Sequence, residues 1–316
     1  MNKWNTYYWD FLIRHSDKIS WSYISSNSNI TMDMIKKHSD KPWHWPAVSE
    51  NPNLTMDMIL KHPQEDWHWY FISRNKNIAF PVIEENIKKP WNWNCVSGNP
   101  NITLEMIEKH SDKIWNWSAI SMNTRLTEKI FNDNLDKNWH WPSITLNPTL
   151  TMEIIQQHKD IPWRNISLNP NITVDIIEKY SNINWNWGLA GLSENRNLSI
   201  EMLMKYPDKP WDWEMIGQNP GATMEMVKHY PDKPWNWDNL SKNSNITIKI
   251  IDAYPDKPWN WDGISQNPNI TIEMIENNPD KPWNWIYIST NEFTKEQRKN
   301  TSITSMISMI SMTSIV

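Results

Sequence analysis

The chain has 316 residues, with 31 Lys and Arg against 36 Asp and Glu and a formal charge of −5. That balance supplies no basic stripe to neutralise phosphates, so nucleic acid is not expected as a partner. A single cysteine, Cys95, excludes an intrachain disulfide framework and fits a reducing compartment, and no run of about 18 apolar residues is present to span a membrane.

The first segment, residues 1–18, is polar and aromatic and carries Trp4 and Trp9. It lacks the apolar stretch of a signal peptide, so a cytoplasmic location is expected. It reads as an N-terminal cap on a repeat array.

From residue 19 to residue 290 a Trp-x-Trp pair returns with a period of 24 residues, as in Trp91-Asn92-Trp93, Trp115-Asn116-Trp117, Trp235-Asn236-Trp237 and Trp259-Asn260-Trp261. Self-similarity at a period of about 20–50 residues marks a stacked repeat architecture. Twelve repeats align on a serine after the pair, with the consensus Trp-Asn-Trp-x-x-Ile-Ser-x-Asn-Pro-Asn-Ile-Thr-x-Glu-Met-Ile-Glu-Lys-His-Pro-Asp-Lys-Pro. The first repeat has Ile19 in the first tryptophan slot, and the seventh keeps only Trp163 of the pair.

Within each repeat the order of capping signals predicts two short helices. The middle residue of the pair, Asn or Asp in most repeats and His44, His68 and His140 in three, is placed to cap the first helix, which starts on the second tryptophan. Pro46 and Pro142 fall in its first turn, where proline is tolerated, and this argues against reading the pair as a strand. Asn-Pro, as in Asn99-Pro100, ends it. The threonine of Asn-Ile-Thr, such as Thr103, caps the second helix, an acidic residue such as Glu105 follows in its first turn, and the turn Asp208-Lys209-Pro210 shows how it stops. Asparagine recurs in every repeat two residues after the serine slot, from Asn27 and Asn51 to Asn267 and Asn291, and is expected to satisfy backbone groups of its own turn. The serine is replaced only by Thr145 and Gly217, so a small residue under tight packing is expected there.

The spacing falters once, over residues 163–193. Two residues are missing between Trp163 and Ser167 and two extra ones, with Gly188 and Gly191, lie between Trp187 and Ser193. A tolerated insertion at a turn is preferred over a hinge. Residues 291–300 read as a C-terminal capping helix, and residues 301–316, built only of Thr, Ser, Ile, Met and Val, as a disordered tail. The fold class expected is all-α, a right-handed α-solenoid of about twelve two-helix repeats, elongated and with a cap at each end.

Asn-Pro-Asn-x-Thr-x-Glu at this period resembles the leucine-rich repeat variant family over about half of each repeat. The whole repeat, with Pro-Trp-Asn-Trp and Asn-Pro-Asn-Ile-Thr, is similar to the tryptophan-rich tandem-repeat proteins of giant DNA viruses. The resemblance implies a viral protein acting in the host cytoplasm and no agreed activity.

No enzymatic constellation stands out: the chain has no Gly-rich phosphate loop, no His-Glu-x-x-His and no Cys-x-x-Cys. His38, His62, His110 and His158 share a slot, but neighbours in a stack lie about 8–10 Å apart, too far to share a metal. No cofactor and no metal are expected. The tryptophans could form exposed stacking platforms or a buried spine, and the spine is favoured because each ring brings about 150–250 Å² to a repeat with few other large apolar groups.

Function is therefore sought in the slots that vary. The residue after the serine slot changes character along the array, and Glu50, Arg74, Met122, Glu194, Gln218, Lys242 and Gln266 are the candidate partner-binding face. The expectation is a monomeric, non-catalytic scaffold for an unidentified protein partner. The alternatives are a nucleic-acid or glycan reader using Trp and Asn, or a structural component of a particle.

Overall fold

A computed structural model describes residues 3–123, 125–149, 151–152 and 163–297, with only the backbone at residues 163 and 164. His158, the Trp163 indole and the segment 301–316 lie outside the described residues. Those described form an all-helical protein of 22 short α-helices and one 3-10 turn, with no strand among them. The chain divides into two compact units, one of Met1–Leu54 with Trp237–Val316 and the other of Thr55–Asn236.

Local capping chemistry sets the helix boundaries. Asn92 and Asn116 each accept a hydrogen bond on the side-chain oxygen from the backbone N–H three residues on, at 3.0 and 3.2 Å, and Asp212 does the same at 3.1 Å. The helices they cap, Trp93–Val96, Trp117–Ser121 and Trp213–Gln218, all begin on the second tryptophan, as the sequence predicts. His44 caps through Nδ1 at 3.3 Å, whereas His140 turns the same atom to the Ser143 hydroxyl at 2.9 Å. The second helices, such as Met32–Lys37, Leu104–Lys109 and Ile272–Asn277, start after a threonine whose hydroxyl accepts the N3 amide at 3.1–3.3 Å.

Helices of four to six residues are too short to be stable alone, so tertiary packing must hold them. The first tryptophan of the pair ties its repeat to the end of the one before. Its indole N–H donates to the carbonyl at the end of the preceding second helix, at 2.8 Å from Trp43 to His38, 2.9 Å from Trp115 to His110 and 2.8 Å from Trp235 to Tyr230. This satisfies one of the carbonyls that every helix C-terminus leaves without an intrahelical donor.

Successive repeats are joined by further recurring contacts. The second tryptophan meets the first tryptophan of the next repeat edge to face, with centroids at 5.0 Å for Trp69–Trp91, 5.1 Å for Trp213–Trp235 and 5.0 Å for Trp237–Trp259. A lysine from the end of its own repeat lies over its face, as Lys233 over Trp213 at 5.4 Å and Lys281 over Trp261 at 5.4 Å. First-slot rings such as Trp91, Trp139 and Trp235 are buried, while second-slot rings are half-buried under these lysines. The tryptophans thus form an interlocked row rather than a uniformly buried spine.

The serine and asparagine slots supply the polar joints. Ser265 Oγ donates to Trp261 O at 2.8 Å and accepts the Asn284 amide of the next repeat at 2.9 Å. The asparagine oxygen accepts the amide two residues on, the turn role expected, while its Nδ2 reaches back into the preceding repeat. Asn51 donates to Ser25 O at 3.0 Å, Asn27 O at 3.0 Å and Ile30 O at 3.2 Å, and Asn219 donates to Ser193 O at 3.1 Å and Asn195 O at 2.8 Å. The fixed asparagine is therefore a bond between repeats as well as a turn residue.

The irregular stretch keeps its joints. Asn186 Nδ2 donates to Leu189 O at 2.8 Å and Ala190 O at 2.9 Å, folding the two extra residues into a closed loop. Ala190 takes a positive φ of 53°, and a Cβ on Gly191 would meet Asn186 O at 2.1 Å, so that position needs glycine. Beyond the loop, Ser193 Oγ still accepts the Asp212 amide at 2.9 Å and Trp187 still meets Trp211 edge to face at 5.1 Å.

The sequence predicts an elongated array with a cap at each end; within the first unit the last repeat packs on the first. Helix Trp285–Thr290 lies against Trp21–Ser26, and the ordinary joints are reproduced there. Asn27 Nδ2 donates to Ser289 O at 2.9 Å and Asn291 O at 3.1 Å, and the Ser20 amide donates to Ser289 Oγ at 2.9 Å. The N-terminal helix α1, Lys3–Arg14, and residues 291–297 pack together over this seam. Tyr8 and Phe11 of α1 meet Phe293, and Trp4 Nε1 donates to Asn29 Oδ1 at 2.9 Å. Phe11, His15 and Lys18 cover Trp285, in the place that a first-slot tryptophan would take if the first repeat had one instead of Ile19.

Candidate binding surface

The polar residues that recur most strongly are consumed internally. The serines and asparagines of the fixed slots are buried or nearly so, with their donors and acceptors spent inside the array, on their own turns and on neighbouring repeats. What remains for a partner is the set of positions that vary, at the outer ends of the first helices.

In the first unit these helices pack in the order 237–242, 261–266, 285–290, 21–26 and 45–48. The candidates Lys242, Gln266 and Glu50 therefore fall in one row, with Thr290 and Ser26 between them. Lys242 and Glu50 are exposed; Gln266 is half-buried and its amide leans on Asp262 O at 3.3 Å. The seam between last and first repeats is what brings Glu50 into this row, and nothing in the local sequence signals it.

In the second unit Arg74 and Gln218 are exposed and Met122 is 49 % exposed. Glu194 is half-buried, and its carboxylate accepts the Ala190 amide of the inserted loop at 2.7 Å, which makes it a loop clamp. Arg74 lies over the ring of Tyr70 at 5.7 Å, and Tyr70 is 44 % exposed beside Phe71 at 5.5 Å. The sequence shows Tyr70 as one more variable residue. Its pairing with Arg74 comes from an i, i+4 spacing on the helix Trp69–Arg74. An exposed tyrosine under an arginine is the composition that dominates protein interfaces.

Cys95 is half-buried, and burial pushes its thiol above the ordinary range, which is the opposite of an activated nucleophile. Among the described residues no group of three or more His, Cys, Asp or Glu side chains is arranged to hold a metal ion. No described helix is long and apolar enough to cross a membrane.

The electrostatically unusual groups lie around α1. Tyr8 Oη, His15 Nε2 and His38 Nε2 are buried without a hydrogen-bond partner. His38 stacks on Trp9 at 3.9 Å, and His15 packs on Trp285 at 4.7 Å with Glu276 Oε1 3.8 Å away. Burial lowers both histidines below their ordinary value, with Lys37 adding to the effect at His38 and Glu276 opposing it at His15. Glu296 is buried and raised by desolvation, although it accepts the Ile272 amide at 2.7 Å and the Tyr7 hydroxyl at 3.2 Å. Burial and the Glu296 charge push Tyr7 up to about 12.

These shifts set a pH dependence with a definite sign. A histidine lowered on folding contributes stability above its unfolded value of about 6.5 and loses it as pH falls through the folded value. The raised Glu296 does the reverse, contributing below about 4.5 and losing it as pH rises through its folded value. Amide exchange of α1 is therefore expected to accelerate between pH 7 and pH 5 relative to the other helices. His38→Phe, which keeps the stack on Trp9, is expected to flatten that profile. An α1 whose protection is the same at both pH values would refute the assignment.

No protein-family model, curated protein or solved structure matches the chain.

Proposed function

We propose that this chain is a non-catalytic scaffold that binds protein through the outer ends of its first helices, built as a right-handed α-solenoid of the twelve sequence repeats. The observation that carries it is the division of labour among slots. Recurrent serines and asparagines are spent on joints of the array, and most of the candidate side chains that vary (Glu50, Arg74, Met122, Gln218 and Lys242) are left exposed. Repeat proteins use such a face for partners. Tyr70, Arg74 and Met122 are its anchors in the second unit, with Lys242 and Glu50 in the first.

A nucleic-acid or glycan reader needs free aromatic faces and free amides. Here the second-slot rings carry lysines from the ends of their own repeats, and the fixed amides are bonded to buried carbonyls. The resemblance to giant-virus repeat proteins makes a host protein the natural partner and the cytoplasm the setting, with the scaffold acting as a monomer.

The test compares wild type with the triple variant Arg74→Glu, Met122→Glu, Lys242→Glu in affinity capture from the native host, read by quantitative mass spectrometry. Surface substitutions of this kind leave stability within about 0.5 kcal/mol each. The melting curve should be unchanged and partner enrichment should drop at least about tenfold, the equivalent of 1.4 kcal/mol. Equal enrichment of the same proteins by both would refute this face.

A further inference from the structure

We infer that the seam between the last and first repeats is an exchangeable interface, through which the last repeat of one chain docks on the first repeat of a second copy of this chain. This does not depend on the partner-binding reading. The seam joins segments more than 260 residues apart in sequence: Asn27 to Ser289 and Asn291, Ser20 to Ser289, Asn29 to Glu292, Arg14 to Glu276 and Tyr7 to Glu296. None of these bonds depends on which chain supplies the partner residue. Only the tether does, through an effective concentration of order millimolar for an intramolecular contact.

Three properties make the second copy the specific occupant. First, the seam is head-to-tail: the face of the first repeat and the face of the last are different surfaces. A contact of that kind, once opened, pairs with another chain and propagates, whereas a self-complementary patch would stop at a symmetric dimer.

Second, its register is unique. The first repeat has Ile19 in place of tryptophan, so Trp285 is received by Phe11, His15 and Lys18. The last repeat is followed by Phe293 and Glu296, which meet Tyr8, Phe11 and Tyr7. No other joint among the described residues offers this combination, so the first repeat of one chain selects the last repeat of another and no other repeat.

Third, the helix that covers the seam is costly to hold in place. The Tyr8, His15 and His38 atoms buried without partners all sit in or against α1 and the short turn after it. A buried polar group without a bond destabilises its surroundings, and elements that open locally are drawn from such regions.

The experiment uses full-length chains on a Cys95→Ser background. Chains carrying Arg14→Cys and a first tag are mixed with chains carrying Glu276→Cys and a second tag. The mixture is held in urea just below the unfolding midpoint, returned to buffer and treated with a short bis-maleimide, since the two side chains are bonded at 2.6 Å in the seam. The double variant Arg14→Cys, Glu276→Cys is the control and should crosslink within one chain at any dilution.

Exchange predicts a mixed-tag product that is absent without urea and rises with protein concentration. It should exceed by at least about tenfold the Arg14→Cys to Arg14→Cys product, given the head-to-tail register. No mixed-tag product while the double variant closes on itself would overturn the inference. So would equal amounts of same-site product, and so would a double variant that fails to crosslink, because the seam itself would then be absent in solution.

Discussion

Replacing Asn267 by alanine is expected to cost about 3 kcal/mol, more than any other change at a single polar side chain of one repeat. Asn267 Nδ2 donates to Ser241 O at 3.0 Å, Asn243 O at 2.9 Å and Ile246 O at 3.1 Å, and its Oδ1 accepts the Asn269 amide at 2.9 Å. Two of those carbonyls keep another donor: Asn243 O has the Ile246 amide, and Ile246 O has Asn269 Nδ2. The loss therefore falls on Ser241 O and on the Asn269 N–H, each costing about 1–3 kcal/mol when its bond is removed away from water. Asn267→Asp separates the two halves of the side chain, because it keeps the acceptor and places a carboxylate against carbonyl oxygens. Its carboxyl is expected to be raised on folding. The variant should regain stability as pH falls, since a raised acid contributes below its unfolded value and loses that contribution as pH rises through the folded one. Urea midpoints at pH 7 and pH 4 measure both effects. An Asn267→Ala midpoint equal to wild type would show that the joint between repeats does not depend on this amide.

The same residue shows how far the sequence carries. Recurrence of asparagine in every repeat announced that the repeat needs it, and the local half of its role, the Asx turn to the amide two residues on, comes from residue type alone. The cap residues Asn92, Asn116 and Thr103 were legible for the same reason, because their bonds span only three residues. The donating half of the asparagine, the serine bridge and the tryptophan edge contact all cross from one repeat to the next, and a periodic sequence does not say which atoms meet. It is also degenerate about its ends. An array of like repeats carries the same pattern whether its first and last members are free or packed together. The only clues to the seam were departures from consensus, Ile19 for tryptophan and the aromatic run of Tyr8, Phe11 and Phe293. With Ile19 read as a variant of the first repeat and the aromatic residues as parts of two separate caps, Glu50 and Gln266 stood far apart instead of in one row.

Trp235 is the position where packing rather than polarity should dominate. Its ring is buried, donates to Tyr230 O at 2.8 Å and meets Trp213 edge to face at 5.1 Å, with Lys233 over Trp213 at 5.4 Å. Trp235→Ala is expected to cost about 3–5 kcal/mol, the range for deleting a buried aromatic ring. Trp235→Phe keeps an aromatic ring in the slot and removes the indole N–H, but Tyr230 O keeps the Lys233 amide at 3.3 Å, so it should cost about 0.5–1.5 kcal/mol for the lost bond, plus a smaller term for lost volume. Trp213→Ala removes a half-buried ring, and its own cost is smaller. Its coupling to Trp235 is the informative quantity. An edge-to-face aromatic pair contributes about 0.5–1.5 kcal/mol beyond burial, and a double-mutant cycle over Trp213 and Trp235 should return a coupling of that size. Lys233→Met, which retains the stem and removes the charge, should lower the stability by about 0.5–1 kcal/mol in wild type and by nothing in Trp213→Ala. A coupling near zero between the two tryptophans would mean that the repeats adhere by area alone. The periodic pair would then serve each repeat separately and would not interlock one with the next.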